Sequence, residues 1–175
     1  MSQVISTVLL STLIIQAPAP QRSGDVVDIF RCDFEADADV NFDRWPDQWT
    51  RLRDRGHPAF LPIEIAGDNA AVGKRCLRIQ LNGGEASVYS PKIEVSPHFS
   101  YVLGGFVRTE GLKNDVAYCQ VAFYDGNDKM LHRHRTGALD PRRWEQFLSD
   151  PIAVEHQSVK YAIVELHLEP RLSHV

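Results

Sequence analysis

The pattern that most limits the fold of this chain is a two-residue alternation of apolar and polar side chains, which recurs in short segments from residue 28 onward. In residues 28–35, Phe30, Cys32 and Phe34 alternate with charged residues. Successive side chains of a β-strand point to opposite faces, so this pattern predicts a strand buried on one face. No long segment shows the 3.6-residue period of an amphipathic helix. The sequence therefore predicts an all-β fold.

Further short segments of this kind follow, separated by turns rich in Gly, Pro, Asn and Asp. Their ranges are 61–65, 75–81, 87–89, 99–108, 117–124, 129–133, 144–148 and 159–168. About nine antiparallel strands are typical of a jelly roll, which normally returns a last strand beside its first. No segment after residue 168 supplies that strand. We therefore expect an antiparallel jelly-roll β-sandwich without its final strand, as in a truncated chain or a fragment of a longer protein.

Length and composition fit one globular domain. A chain of 175 residues can bury a sizeable core, and 43% hydrophobic with 24% charged residues argues against disorder and against a multi-span membrane protein. The net charge of −4 provides no positive field for a phosphate backbone. We expect no nucleic-acid partner, and a monomer unless the missing strand exposes an edge.

The first 23 residues form a separate segment in composition. Residues 4–19 carry no charge and end in the small residues Ala17, Pro18 and Ala19, as in a secretory signal. We expect a signal peptide or N-terminal anchor over residues 1–23, a sandwich domain over residues 24–175, and a secreted, periplasmic or cell-surface protein. A strand buried in the sandwich is the remaining alternative.

The cysteines and histidines show no metal-site spacing. We expect the three cysteines to be small buried residues, with one disulfide and a free thiol as the alternative. The histidines are expected at the surface. The residues concerned are Cys32, Cys76, Cys119, His57, His132, His134 and His167.

Five motifs in order make the chain resemble a known family. They are Phe34-Glu35, the segment Trp45-Pro46-Asp47-Gln48-Trp49, residues 73–79, Tyr89-Ser90-Pro91 and residues 101–105. Over residues 28–169 the chain resembles the CenC-like carbohydrate-binding modules of the galactose-binding-domain-like superfamily, bacterial modules appended to larger exported proteins. The resemblance implies a structural calcium site at Glu35, with Asp33 nearby. An acidic turn that is merely solvated is the alternative.

Alternation also assigns candidate ligand residues to the polar faces of the strands. Sugars combine apolar ring faces with hydroxyl groups, so their sites use aromatic rings together with planar hydrogen-bonding groups. The candidates of these types are Arg78, Gln80, Tyr118, Gln120, Tyr124 and Glu165, with Trp45 as a lid. Two alternatives stay open: these side chains form an ordinary solvated face, and Trp45 closes one end of the core.

No motif of an enzyme accompanies these residues. The sequence has no nucleophile elbow, no phosphate-binding loop and no recognisable pair of catalytic carboxylates. We therefore expect a non-catalytic module that binds an oligosaccharide or polysaccharide. The cofactor that the family resemblance implies is structural calcium. A protein-interaction or sensory ectodomain on the same sandwich is the alternative.

Overall fold

A computed structural model describes residues 6–18, 26–67 and 69–171. These residues form thirteen strands and one 3-10 turn, Ala36–Ala38. The strands are β1 (Ser6–Pro18), β2 (Val26–Cys32), β3 (Thr50–Arg51), β4 (Ile63–Ala66), β5 (Cys76–Leu81), β6 (Ala86–Tyr89), β7 (Ile93–Glu94), β8 (Ser100–Glu110), β9 (Asp115–Asp125), β10 (Met130–Arg135), β11 (Glu145–Leu148), β12 (Ile152–Ala153) and β13 (Val159–Pro170). No helix in these ranges has the length and apolar character to cross a membrane.

The strands form two antiparallel sheets. Sheet A has seven strands in the order β11-β8-β1-β5-β4, with β2 paired to β1 and β12 to β8. Sheet B has six in the order β10-β9-β13-β6-β3, with β7 paired to β13. Along the chain, groups of one or two strands alternate between the two sheets, as in a jelly roll. The predicted fold class, an all-β antiparallel jelly-roll sandwich, is confirmed.

The inner faces of the two sheets share one hydrophobic core. Leu77 and Ile79 from sheet A and Phe123 and Val164 from sheet B are all buried in it. Alternation along β5, β9 and β13 therefore assigned the inward faces correctly. Phe34, Val121 and Leu166 are also buried in this core, and Phe30 is partly buried at its margin.

The N-terminal apolar run lies within sheet A. One edge of β1 pairs with β8, and the other pairs first with β5 and then with β2. The structure thus adopts the buried-strand alternative for residues 6–18 and differs from a domain that begins at residue 24. β1 also occupies the place beside β2 that we expected to be empty. Residues 1–5 and 19–23 lie outside the described ranges, and signal-peptide cleavage and export stay predictions.

Strand β2 ends earlier than its alternation predicts. Phe34 has a φ of 61°, a left-handed conformation that costs a bulky residue about 1–2 kcal/mol. Its side chain is nevertheless fully buried, with its ring centroid 5.5 Å from that of Trp49. Burial of a large aromatic side chain is worth enough to offset this strain.

All three cysteines are buried and unbridged, as the small-residue hypothesis predicted. Burial raises the pKa of the Cys119 thiol to about 12. Burial is also the main cause that raises the pKa of Cys32, to about 11. Both thiols are therefore protonated and unreactive at neutral pH.

Candidate functional site

The predicted sugar-binding residues lie on two opposite surfaces of the sandwich. Arg78 and Gln80 alternate with inward-facing residues of sheet A, and Gln120 and Glu165 do the same in sheet B. Both inward faces meet in the common core, so the two outward faces point away from each other. One shallow ligand cannot contact both groups. The candidate site therefore separates into a sheet A group and a sheet B group.

The sheet A group is engaged in ion pairs. Arg78 lies 2.5 Å from one oxygen of Glu64, and Arg44 lies 2.7 Å from the other. Gln80 faces Thr7 across the β5–β1 pair. A guanidinium that is already bound to a carboxylate has fewer donors left for a ligand. This arrangement holds the loop around Arg44 against β4.

Trp45 contacts the interior of the protein. Its indole N–H donates a hydrogen bond to the carbonyl of Trp49 at 2.8 Å, and the ring packs against the core. A buried tryptophan normally satisfies its N–H in this way. These contacts fit the alternative in which Trp45 closes one end of the sandwich, and its role as a lid stays a prediction.

The sheet B group is centred on Glu165, whose side chain is buried with only 6% of its residue surface exposed. Its Oε2 atom accepts a hydrogen bond from the amide of Gln120 and lies 3.0 Å from Nε2 of His167. The other oxygen, Oε1, has no hydrogen-bond partner among the described residues. Unlike the Thr12 hydroxyl, which is both unpaired and completely enclosed, Oε1 is accessible to solvent. A buried carboxylate oxygen without a donor is costly, so this atom is open to a donor from a ligand.

Three tyrosines surround this carboxylate. Burial, followed by the negative charge of Glu165, raises the pKa of Tyr89 and of Tyr124 above the usual range. Burial and the nearby Glu169 raise the pKa of Tyr118 to about 12. All three phenols therefore keep their protons at neutral pH. The Tyr118 proton is already donated to Glu169.

A chain of polar side chains continues from Glu165 across sheet B. Nδ1 of His167 lies 2.9 Å from the Ser87 hydroxyl, and that hydroxyl lies 3.2 Å from Nε2 of His57. Nδ1 of His57 lies 2.9 Å from the Asp54 carboxylate. The expectation that these histidines are at the surface is wrong, because their side chains are only 11% and 12% exposed. Alternation placed His167 beside Glu165, but no sequence signal connected it to His57 or Ser87.

Asp54, His57 and Ser87 are spaced like a nucleophilic triad, yet the hydroxyl is not presented to a substrate. Ser87 is 5% exposed, and its oxygen is shared between two imidazoles. A nucleophile needs an open approach and nearby donors for the developing oxyanion.

The aromatic rings on sheet B are stacked on one another. His167 covers one face of Tyr118, with ring centroids 4.7 Å apart, and the Arg135 guanidinium lies 3.3 Å above the ring. Because β9 lies between β10 and β13, these two side chains cover opposite faces of Tyr118. A sugar can stack on this ring only if Arg135 moves away. The Tyr118 hydroxyl already donates a hydrogen bond to Oε2 of Glu169 at 3.1 Å, so Tyr118 offers a ligand its ring edge and its hydroxyl oxygen as an acceptor.

A second stack lies at the other end of the same surface. Tyr124 and Tyr161 are parallel, with centroids 5.0 Å apart, and the Lys92 ammonium lies 4.3 Å from the Tyr161 centroid. Asp128 accepts hydrogen bonds from both Lys92 and the Tyr161 hydroxyl. The face of Tyr124 that points toward β10 is not part of this stack, so Tyr124 is the better of the two predicted tyrosines for sugar stacking.

The residues proposed for calcium do not fit that ion as they stand. Oε1 of Glu35 accepts hydrogen bonds from the backbone N–H groups of Lys74 and Arg75, at 2.6 and 3.0 Å. Asp33 accepts one from the backbone of Glu35. Calcium requires six or more oxygen ligands, and no group of three acidic, histidine or cysteine side chains suited to a metal occurs in the described ranges. Glu35 instead anchors the loop before β5, and calcium binding stays a prediction.

Comparisons with known proteins add little to this geometry. No protein-family model matches the chain, and no curated protein sequence matches it. Among solved structures, the chain is similar to the CBM22-1 xylan-binding domain of Xyn10C from Paenibacillus barcinonensis, with 12% identity, 71% of this chain and 86% of that chain covered, and a TM-score of 0.33. A superposition this loose carries no argument about function. The CenC-like resemblance is not confirmed by these comparisons.

Proposed function

We propose that this protein is a non-catalytic carbohydrate-binding domain whose ligand lies on the outer face of sheet B. The observation that carries the proposal is the open Oε1 atom of the buried Glu165. A carboxylate oxygen is a strong acceptor, and a sugar hydroxyl is the complementary donor. Gln120 lies beside it, and Tyr118 and Tyr124 lie on either side of Gln120 along β9.

The arrangement favours a polar ligand over an apolar one. Gln120 and Glu165 form a planar polar centre at the middle of the sheet, where an apolar ligand would leave the carboxylate without a donor. The stacked rings present their edges, apart from the face of Tyr124 that points toward β10. We therefore assign recognition mainly to hydrogen bonds. Arg78, Gln80 and Trp45 lie outside this site, and the finer assignments, to a CenC-like module and an exported protein, rest on the sequence motifs alone.

Affinity for such a face should be modest. A ligand lying on a sheet removes little surface from water, and each hydroxyl that binds must first lose its own hydration. Dissociation constants in the micromolar-to-millimolar range, roughly −4 to −8 kcal/mol, are expected. Such an affinity suits an oligosaccharide or polysaccharide, in which several sugar units contact the face together.

The test is calorimetric titration of the full chain with cellohexaose, xylohexaose and mannohexaose, followed by a glycan array. Loss of a hydrogen bond to a charged group costs about 1.5–3 kcal/mol, so Glu165→Gln should weaken binding by about tenfold or more. The matched control, Gln80→Ala on sheet A, should bind like the parent. Circular dichroism establishes that both variants are folded.

Two outcomes would contradict the proposal. One is equal loss of affinity in the Glu165→Gln and Gln80→Ala proteins, which would show that the ligand is not held on sheet B. The other is a folded parent that binds no glycan. That result would favour the protein-interaction alternative.

A further inference from the structure

The chain of polar side chains that holds Glu165 consists of two carboxylates, two imidazoles and one hydroxyl. Asp54 and His57 belong to the loop between β3 and β4, Ser87 to β6, and His167 and Glu165 to β13. The four contacts along it measure 2.9, 3.2, 2.9 and 3.0 Å from the Asp54 end. All four distances are within hydrogen-bonding range.

These contacts require more protons than the neutral groups carry. Each of the four contacts needs one hydrogen to be a hydrogen bond. Two ionised carboxylates supply none, each neutral imidazole supplies one, and the hydroxyl supplies one. Three hydrogens cannot satisfy four contacts. The complete chain therefore contains at least one additional proton.

The contact that lacks a hydrogen is the one between His167 and Glu165. The Asp54 pKa is lowered, chiefly by its hydrogen bond with the His57 side chain, so Nδ1 of His57 carries a hydrogen that it donates to an ionised carboxylate. Nε2 of a neutral His57 then accepts from Ser87, and Ser87 accepts from Nδ1 of His167. Nε2 of a neutral His167 would have no hydrogen, and its lone pair would face Oε2 of Glu165.

The surrounding charges favour the additional proton. Glu85 lies 3.5 Å from Nε2 of His57, so the two rings are contacted by three carboxylates, those of Asp54, Glu85 and Glu165. The other groups facing His167 are the neutral phenols of Tyr118 and Tyr89. Arg135 lies beyond the Tyr118 ring and pairs with Glu169 at 3.7 Å. Negative charge near an imidazole stabilises its protonated form.

We infer that Asp54, His57, Ser87 and His167 are positioning residues that fix Glu165 through one shared additional proton, so that the ligand face binds more tightly as the pH falls. With the proton present, His167 donates to Oε2 and Gln120 donates to the same atom, which leaves Oε1 directed at the ligand. Without it, the lone pair of His167 repels the carboxylate, and Glu165 loses one of its two supports. The ligand part of this inference rests on the proposed function, whereas the proton count does not.

The first experiment needs no ligand. Imidazole signals are followed by NMR from pH 5 to pH 9 in the full-length protein, a range that brackets ordinary histidine titration near 6.5. We expect the signals of His57 and His167 to respond to a shared protonation event, and the exposed His98 and His156, which lie outside the chain of polar side chains, serve as internal reference signals. Ser87→Ala removes the bridging hydroxyl with almost no change in volume, and it should separate the two titrations.

The second experiment measures binding of xylohexaose and cellohexaose at pH 5.5 and pH 8. For the parent we expect an affinity about tenfold higher at the lower pH, a usual size for coupled equilibria. Ser87→Ala should show a much smaller ratio, and Tyr161→Phe, which removes a hydroxyl outside the chain, should keep the parental ratio.

Independent single titrations of His57 and His167 in the parent, unchanged by Ser87→Ala, would overturn the inference. The inference would also be overturned if a hexaose binds with the same affinity at pH 5.5 and at pH 8. If the shared titration is present and neither hexaose binds, the proton chain is supported and the proposed function fails.

Discussion

At the scale of single residues, burial in the sandwich strongly raises the pKa of a thiol. Cys119 is fully enclosed, and that burial raises its pKa from 9.0 to about 12. A thiol whose pKa is raised on folding stabilises the protein fully below the unfolded value, and this contribution is lost as the pH rises from about 9 to about 12. The neutral thiol is therefore part of the folded state.

Cys119→Ala should accordingly reduce the alkaline sensitivity of the fold. Between pH 8 and pH 10.5 we expect the melting temperature of the parent to fall more steeply than that of the variant, because only the parent must keep this thiol protonated. Thermal unfolding followed by circular dichroism measures both slopes. Parallel slopes would show that Cys119 is not enclosed as described.

At the scale of elements, β1 occupies the middle of sheet A, between β5 and β8. Leu13 and Ile15 of β1 are buried in the core, and β8 pairs with β1 along most of its length. Without β1, the facing edges of β5 and β8 would lose their partners in the middle of sheet A. Unpaired strand edges with apolar side chains are sites of aggregation.

A chain shortened to residues 24–175 should therefore fail to fold cooperatively. Removal of several large core side chains, each worth about 2–5 kcal/mol, exceeds the usual total stability of a domain, about 5–15 kcal/mol. Urea unfolding measures the midpoint and cooperativity of unfolding of the full and shortened chains, and gel filtration measures their aggregation. Equal midpoints for the two would show that the N-terminal segment is dispensable, as a cleaved signal peptide must be. Leu13→Asp in the full chain is the point-mutation counterpart.

At the scale of the whole molecule, the two sheets depend on one core, and residues at its centre should matter more than residues at its margin. Phe123→Ala should reduce the free energy of unfolding by about 3–5 kcal/mol, because Phe123 is almost fully buried. Phe30→Ala should cost about 1–2 kcal/mol, since Phe30 is only partly buried. Urea denaturation of both variants gives the comparison. Similar losses would mean that the core is centred elsewhere.

The sequence by itself determined the fold class and which side chains face inward. It also predicted β2, with a later end, and eight further strands. Alternation is a local property with a period of two residues, so it can be read in each strand without knowledge of its neighbours. It could not detect β3, β7 and β12, because each has only two residues. It also could not classify β1. A strand buried on both faces is a continuous apolar run, and so is the core of a signal peptide.

The tertiary structure alone decided which outward-facing residues act together. Alternation shows that Arg78 and Glu165 both point outward, but only the strand order shows that they lie on opposite sheets. The contact between Ser87 and His167 joins residues 80 positions apart, and no local pattern encodes such a pairing. Hydrogen bonds of this kind form because the strands that carry them are brought together by the burial of their opposite, apolar faces.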